Sequence, residues 1–192
     1  MLLDLRRGLI ALLALTLIVG IAYPLLVFGI GQAVFRGAAG GSPVSSGGRM
    51  VGSALIGQKF DNPRYFAGRP SAAGDGYDAG ASGASNLGPT SEKLDEEVRQ
   101  RLAALIKANP GATPGEVPSE LVTASGSGLD PDISPAAAEF QVGRVAAARH
   151  LGPAAVRQLV DAHVEGRTFG LFGEPHVNVL ELNLALDRLQ SR

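Results

Sequence analysis

The sequence contains no cysteine and no tryptophan. The first absence excludes disulfides, zinc–thiolate sites and cysteine nucleophiles, and it leaves the redox compartment undetermined. Aromatic residues make up only 5% of the chain, whereas glycine (26) and proline (12) are abundant, which predicts a domain rich in loops and turns. Net charge is −1, with neither a basic stripe nor an acidic tail, so the electrostatic footprint of a nucleic-acid-binding protein is missing. Catalytic signatures are missing too. There is no GxxxxGKS/T phosphate loop, no GxSxG nucleophile elbow and no HExxH pair.

Charge is absent altogether from one long stretch, Gly8 to Phe35, which is bracketed by Arg6 and Arg7 before it and Arg36 after it. A helix rising about 1.5 Å per residue crosses the hydrocarbon core in about 20 residues, so this run predicts a transmembrane helix over about 8–34. A secretory signal peptide has an apolar region of only about 7–15 residues and then a small-residue cleavage site. The run here is too long, and Ala38-Ala39-Gly40 lies beyond a charged residue, so the sequence favours a retained anchor. Arg6, Arg7 and the α-amino group outweigh the single nearby Arg36. That asymmetry places the N-terminus in the cytoplasm and the bulk of the chain outside. Pro24 lacks a backbone donor and is expected to kink the helix.

The remainder is short enough for one core. The reading is a membrane anchor over 1–35, a flexible small-residue linker over 36–48 (RGAAGGSPVSSGG), and a single soluble α+β domain over 49–192. Met50 to Ile56 reads as a short strand. Gln58 to Ser91 shows almost no helical periodicity, yet Phe60, Tyr65, Phe66 and Tyr77 argue for order, because free linkers seldom carry anchoring aromatics. Thr90 or Ser91 caps a helix to about Ala108 with Leu94, Val98, Leu102, Leu105 and Ile106 on one side. Glu120 to Ala124 reads as a short strand. Ser134-Pro135 opens a helix to about His150, and Gly152-Pro153 opens another with Gly166 as its stop. Asn178 with Glu181 is a capping box for a last helix carrying Val179, Leu182, Leu186 and Leu189.

Few residues point to chemistry. Gly74-Asp75-Gly76-Tyr77-Asp78-Ala79 has dinucleotide-fingerprint spacing but no strand before it, so it reads as a turn. His150, His163 and His176 lack metal-ligand spacing, and Asp130 and Asp132 read as turn and cap residues around Pro131 rather than as an ion site. Two segments are richer. Ser82 to Ser91 (SGASNLGPTS) runs straight into a helix N-terminus, where backbone N–H groups favour an anion. Val122 to Pro131 (VTASGSGLDP) concentrates small residues before a second helix start, which points to close backbone approach by a partner or another loop. Tight turns between core elements account equally well for each.

With these blocks in view, the sequence resembles a known family. An N-terminal span followed by IGQKFDNPRYFAGRPSA (56–72), SGASNLGPTS (82–91), ELVTASGSGLDPDISPAAAEFQVGRVAAAR (120–149) and FGEPHVNVLELNLALD (172–187) is similar to the C subunit of the potassium-transporting Kdp ATPase. Two positions depart from the family pattern, Gly143 where a proline is expected and His176 where an arginine is usual. The resemblance implies an accessory subunit in the cell (inner) membrane. Its partners would be a channel-like potassium-translocating subunit, a P-type ATPase subunit and the lipid bilayer. It would stabilise the assembly and support the ATPase subunit, in one proposal as a catalytic chaperone raising that subunit's affinity for ATP. It implies no catalytic residue, no metal and no cofactor of its own, ATP entering only through the ATPase subunit. The nucleotide-binding signature of the family would fall on Ser85, Asn86, Leu87 and Gly88. The chain has no aspartate in an Asp-Lys-Thr-Gly context and no carbonyl filter sequence, so it would neither hydrolyse ATP alone nor form the pore. A domain outside the membrane is beyond the reach of cytoplasmic ATP, so the anchoring and assembly role is favoured. Two other readings stay open. One is an exported or membrane-tethered serine hydrolase using Ser85 or Ser127, for which no base is placed by sequence. The other is a stand-alone surface-binding domain.

Overall fold

The computed structural model describes residues 1–190 and divides the chain into two compact units, Met1–Pro43 and Val44–Arg192. The first is dominated by a helical run, Leu2–Val34, of 33 residues, the one run among the described residues long and apolar enough to cross a membrane. At 1.5 Å per residue it is about 50 Å long. It comprises α1 (Leu2–Leu15), a π-helical stretch (Thr16–Ala22) and α2 (Tyr23–Val34), and none of its residues is buried. Pro24 cannot donate to the turn before it, and the backbone widens just N-terminal to it, so that Tyr23 N–H reaches Ile18 O, five residues back. The helix extends through Arg6 and Arg7 to Leu2, well before the start of the uncharged run. A short turn, α3 (Arg36–Ala39), follows a break at Phe35.

Strands β1 (Pro43–Ser46) and β2 (Arg49–Ser53) pair as a hairpin. Its two-residue turn is Gly47-Gly48, at φ 56° and 76°, the doubly left-handed turn that matches strand twist. The second unit is built on a three-stranded antiparallel sheet of order β3–β5–β4, with β3 (Asp132–Ile133), β4 (Val164–Glu165) and β5 (His176–Asn178). Ile133 and Val164 both pair with Val177. Four helices accompany it, α4 (Glu92–Ala108), α5 (Pro135–Arg149), α6 (Pro153–Asp161) and α7 (Val179–Gln190). An N-terminal apolar helix followed by helices and small sheets is the α+β class expected.

The local reasons are legible. Ser91 and Ser134 accept hydrogen bonds from Leu94 and Ala137 N–H, and Asn178 accepts from Glu181 N–H at 3.2 Å, so each cap sits where its residue type predicts. Ala137, Ala138 and Ala146 are fully buried, and their small side chains let α5 approach its neighbours closely. Val142, Val145, Val156, Val160, Leu182 and Leu186 fill the core with Ile133, Val177 and Phe66. No residue of α4 is buried, so its apolar stripe is only half covered.

Two expected elements differ. Glu120 to Ala124 is not a strand but a 3₁₀ turn at Ser119–Leu121. Leu121 and Val122 are buried side by side, unlike the alternation of a strand covered on one face, and Thr123 Oγ donates back to Ser119 O. The helix expected to stop at Gly166 ends at Asp161, and Val164–Glu165 pair into the sheet.

Candidate functional site

Between Ser53 and Glu92 there is no regular element, yet the segment is held along its length. Buried polar side chains of α5 and α7 supply the backbone partners a sheet would otherwise provide. Asn183, 2% exposed, accepts from Phe66 N–H at 2.8 Å and donates to Phe66 O at 2.9 Å. Gln141 does the same for Ala67, accepting at 2.8 Å and donating at 3.1 Å. Arg144 donates to Pro63 O and Tyr65 O, and burial pushes its guanidinium pKa down. Arg149, buried, donates from Nε to Arg64 O at 2.6 Å and from Nη2 to Asp187 Oδ1 at 2.8 Å. Its guanidinium lies 4.7 Å from the centre of the Tyr65 ring, whose hydroxyl donates to Asp187 Oδ2. Satisfied buried groups of this kind fix one conformation, because any other leaves them unpaired.

The two small-residue segments singled out by sequence meet each other. Gly83 N–H and Ser82 Oγ both donate to Ser127 O at 2.9 Å. Ser125 N–H donates to Pro70 O, and Gly57 N–H donates to Leu129 O. At Gly128, φ is 68° and an added Cβ would stand 2.6 Å from Ala73 N and 2.7 Å from Gly83 O. Close approach by another loop is therefore why the residues are small. Asp130 is occupied in the same junction, accepting from Arg69 at 3.0 Å and from Asp132 N–H at 3.1 Å. Tyr77 donates its hydroxyl to Arg69 O, and its pKa is pushed up to about 12, first by burial and then by Asp130 and Asp61.

Ser85, Asn86, Leu87 and Gly88 follow this junction and lead into the cap of α4. Ser85, Asn86 and Gly88 are exposed and Leu87 is half-buried. Asn86 is left-handed at φ 52°, and Gly88 O accepts from Ser91 N–H. A cavity of about 670 Å³ lies elsewhere and is lined by Pro63, Asn109, Phe140, Gly143 and Arg144 among others. Among the described residues no hydrogen bond links Ser85 or Ser127 to a histidine. His163 Nδ1 contacts Leu159 O, and His176 lies between Asp132 at 3.9 Å and Glu165 at 3.8 Å. Among the described residues no group of three His, Cys, Asp or Glu could hold a metal ion.

One feature had no sequence signal beyond flanking glycines. The β4–β5 connection carries Phe169, Leu171 and Phe172, exposed by 89%, 74% and 67%. An apolar run with no period reads the same whether it is covered or not.

The described residues thus comprise an N-terminal apolar helix, an irregular segment clasped by Asn183 and Gln141, and two small-residue loops locked together. Comparison with known sequences then supplies the family. The family described as "KdpC: K+-transporting ATPase, c chain" matches residues 5–188. The chain belongs to the KdpC family. A "Potassium-transporting ATPase KdpC subunit" of Sorangium cellulosum is 60% identical over 189 residues, which is 97% of this chain and 98% of that protein. Proteins of the same description from Nitratidesulfovibrio vulgaris and Serratia proteamaculans are 57% and 54% identical, covering 96% and 97% of this chain and 93% and 98% of theirs. The matches run through the span as well as the folded unit, so similarity to the KdpC family covers the anchor and both locked loops.

Proposed function

We propose that this chain is the accessory subunit of an ATP-driven potassium-import complex, holding together its channel-like and P-type ATPase subunits. The observation that carries this reading is the family match over residues 5–188, which takes in the apolar helix Leu2–Val34 as well as the folded unit. In this reading the helix anchors the chain in the cell membrane as a single pass, with residues 36–48 as tether. Small residues such as Gly8, Ala11, Ala14, Gly20 and Gly29 let the helix pack against the larger subunits. The charge asymmetry around the span supports a cytoplasmic N-terminus and a domain on the outer face.

A second reading is favoured by the exposed, left-handed turn at Asn86 ahead of the 17-residue α4. Here Ser85, Asn86, Leu87 and Gly88 contact ATP on the ATPase subunit and raise its affinity, as a catalytic chaperone. This requires a cytoplasmic domain. The absence of cysteine makes the test direct. Ser127 is exposed, so Ser127→Cys in intact cells is labelled by a membrane-impermeant maleimide if the domain is outside. Labelling only after permeabilisation would restore the nucleotide reading. Deleting the chain is expected to abolish potassium-stimulated ATPase activity, and a complex that transports normally without it would sink the proposal.

A further inference from the structure

The connection between β4 and β5 is a built projection rather than a loose loop. Thr168 N–H donates to Phe172 O at 2.8 Å and Phe172 N–H returns to Thr168 O at 3.0 Å, closing a tip of Phe169, Gly170 and Leu171. Gly170 N–H donates to Arg167 O at 2.9 Å inside it. Below the tip, Arg167 Nη2 donates to both carboxylate oxygens of Glu174, at 2.8 and 2.7 Å. Phe169 is held at φ 55°, a backbone region that bulky residues avoid and that costs of order 1 kcal/mol or more. The fold thus spends conformational energy to present three large apolar side chains to solvent. Phe66, Ile133, Leu182 and Leu186, by contrast, are buried in the core.

From these observations we propose that Phe169, Leu171 and Phe172 are the anchors by which this domain docks into an apolar pocket, rimmed by basic side chains, on a larger subunit of the same complex. The proposal rests on the accessory-subunit reading. Two alternative occupants fit the observations less well. Together the three side chains expose about 400 Å² of apolar surface, half of what one partner contributes to a standard interface, so self-association through the tip alone would not hold a dimer. A lipid surface is disfavoured by charge. The base of the projection carries Glu165 and Glu174 against the single Arg167, which Glu174 already engages, so it lacks the lysine and arginine cluster by which interfacial segments hold a bilayer surface. The same acidic base complements a basic rim. A pre-set tip of rigid aromatic anchors is how interfaces concentrate binding energy in a few central residues, since little order is lost on docking.

The test uses the full chain in its native membranes with the other subunits present. Leu171→Cys, unique in this chain, is labelled with a benzophenone maleimide and irradiated, and the products carrying this chain are sized. A crosslink to a larger subunit, with none from the same probe at exposed Ser119→Cys, is the expected result. Crosslinking only to lipid or to a second 19.7 kDa copy overturns the proposal. In parallel, Phe169→Ser with Phe172→Ser is expected to lower co-purification with the other subunits at least tenfold while the chain stays membrane-inserted and folded by circular dichroism. Co-purification equal to wild type overturns docking through the tip alone. A wild-type chain that does not co-purify at all overturns the accessory-subunit reading together with it.

Discussion

Replacing Asn183 with leucine asks whether side-chain amides hold the irregular 53–91 segment. The change keeps the branched shape and heavy-atom count, with methyls bulkier than the amide groups, and removes both hydrogen bonds to Phe66, whose residue is 0% exposed while Asn183 is 2% exposed. Phe66 N–H and C=O are then orphaned where water cannot replace the partner. Each such group costs about 1–3 kcal/mol, and the apolar leucine returns about 1 kcal/mol, so the net loss should be about 3 kcal/mol. For a domain of this size that is a fall in Tm of about 6–12 °C. The assay is urea unfolding of the detergent-solubilised full chain, followed by near-ultraviolet circular dichroism of its tyrosines. Asn183→Asp sharpens the logic. A protonated carboxyl can still accept from Phe66 N–H and donate to Phe66 O, but a carboxylate cannot donate and faces the carbonyl across a dry gap. Burial raises the folded pKa of that aspartate, so its stability is present at low pH and is lost as pH rises through that value. A leucine variant within about 0.5 kcal/mol of wild type, together with a pH-independent aspartate variant, would refute the clasp.

Other substitutions test the remaining pieces. Gly143 sits inside α5 with open space around its α-carbon, so Gly143→Ala should stabilise by about 0.5–1 kcal/mol in the same urea assay. Gly128→Ala should destabilise by about 3 kcal/mol or more, because its Cβ would enter the backbone of Ala73 and Gly83 at positive φ; a tolerated alanine would disprove the locked junction. Tyr77 titrates at about 12 in the fold against its ordinary 10.0. Its stabilising contribution is therefore full below pH 10 and lost as pH climbs through about 12. Tyr77→Phe should lose about 1 kcal/mol at pH 8 and show a shallower alkaline decline between pH 10 and 12 than wild type.

Much of this protein is decided by local chemistry that a sequence displays. The uncharged run bounded by arginines marks the span, because the hydrocarbon core demands a length of apolar helix and nothing else. Ser91, Ser134 and Asn178 mark helix starts, because a cap needs only its own side chain and the next turn. Glycine and hydroxyl residues at 82–91 and 122–131 announce that something comes close, but composition cannot say what. The tertiary structure decided that the two tracts close on each other, and that Gln141, Asn183 and Arg149 are turned inward to serve backbone groups distant by 74, 117 and 85 positions in the chain. Likewise only the fold decided that Leu121 and Val122 are buried while Phe169, Leu171 and Phe172 are not. Hydrophobicity states a side chain's preference for leaving water; which segments are there to cover it depends on contacts remote in sequence.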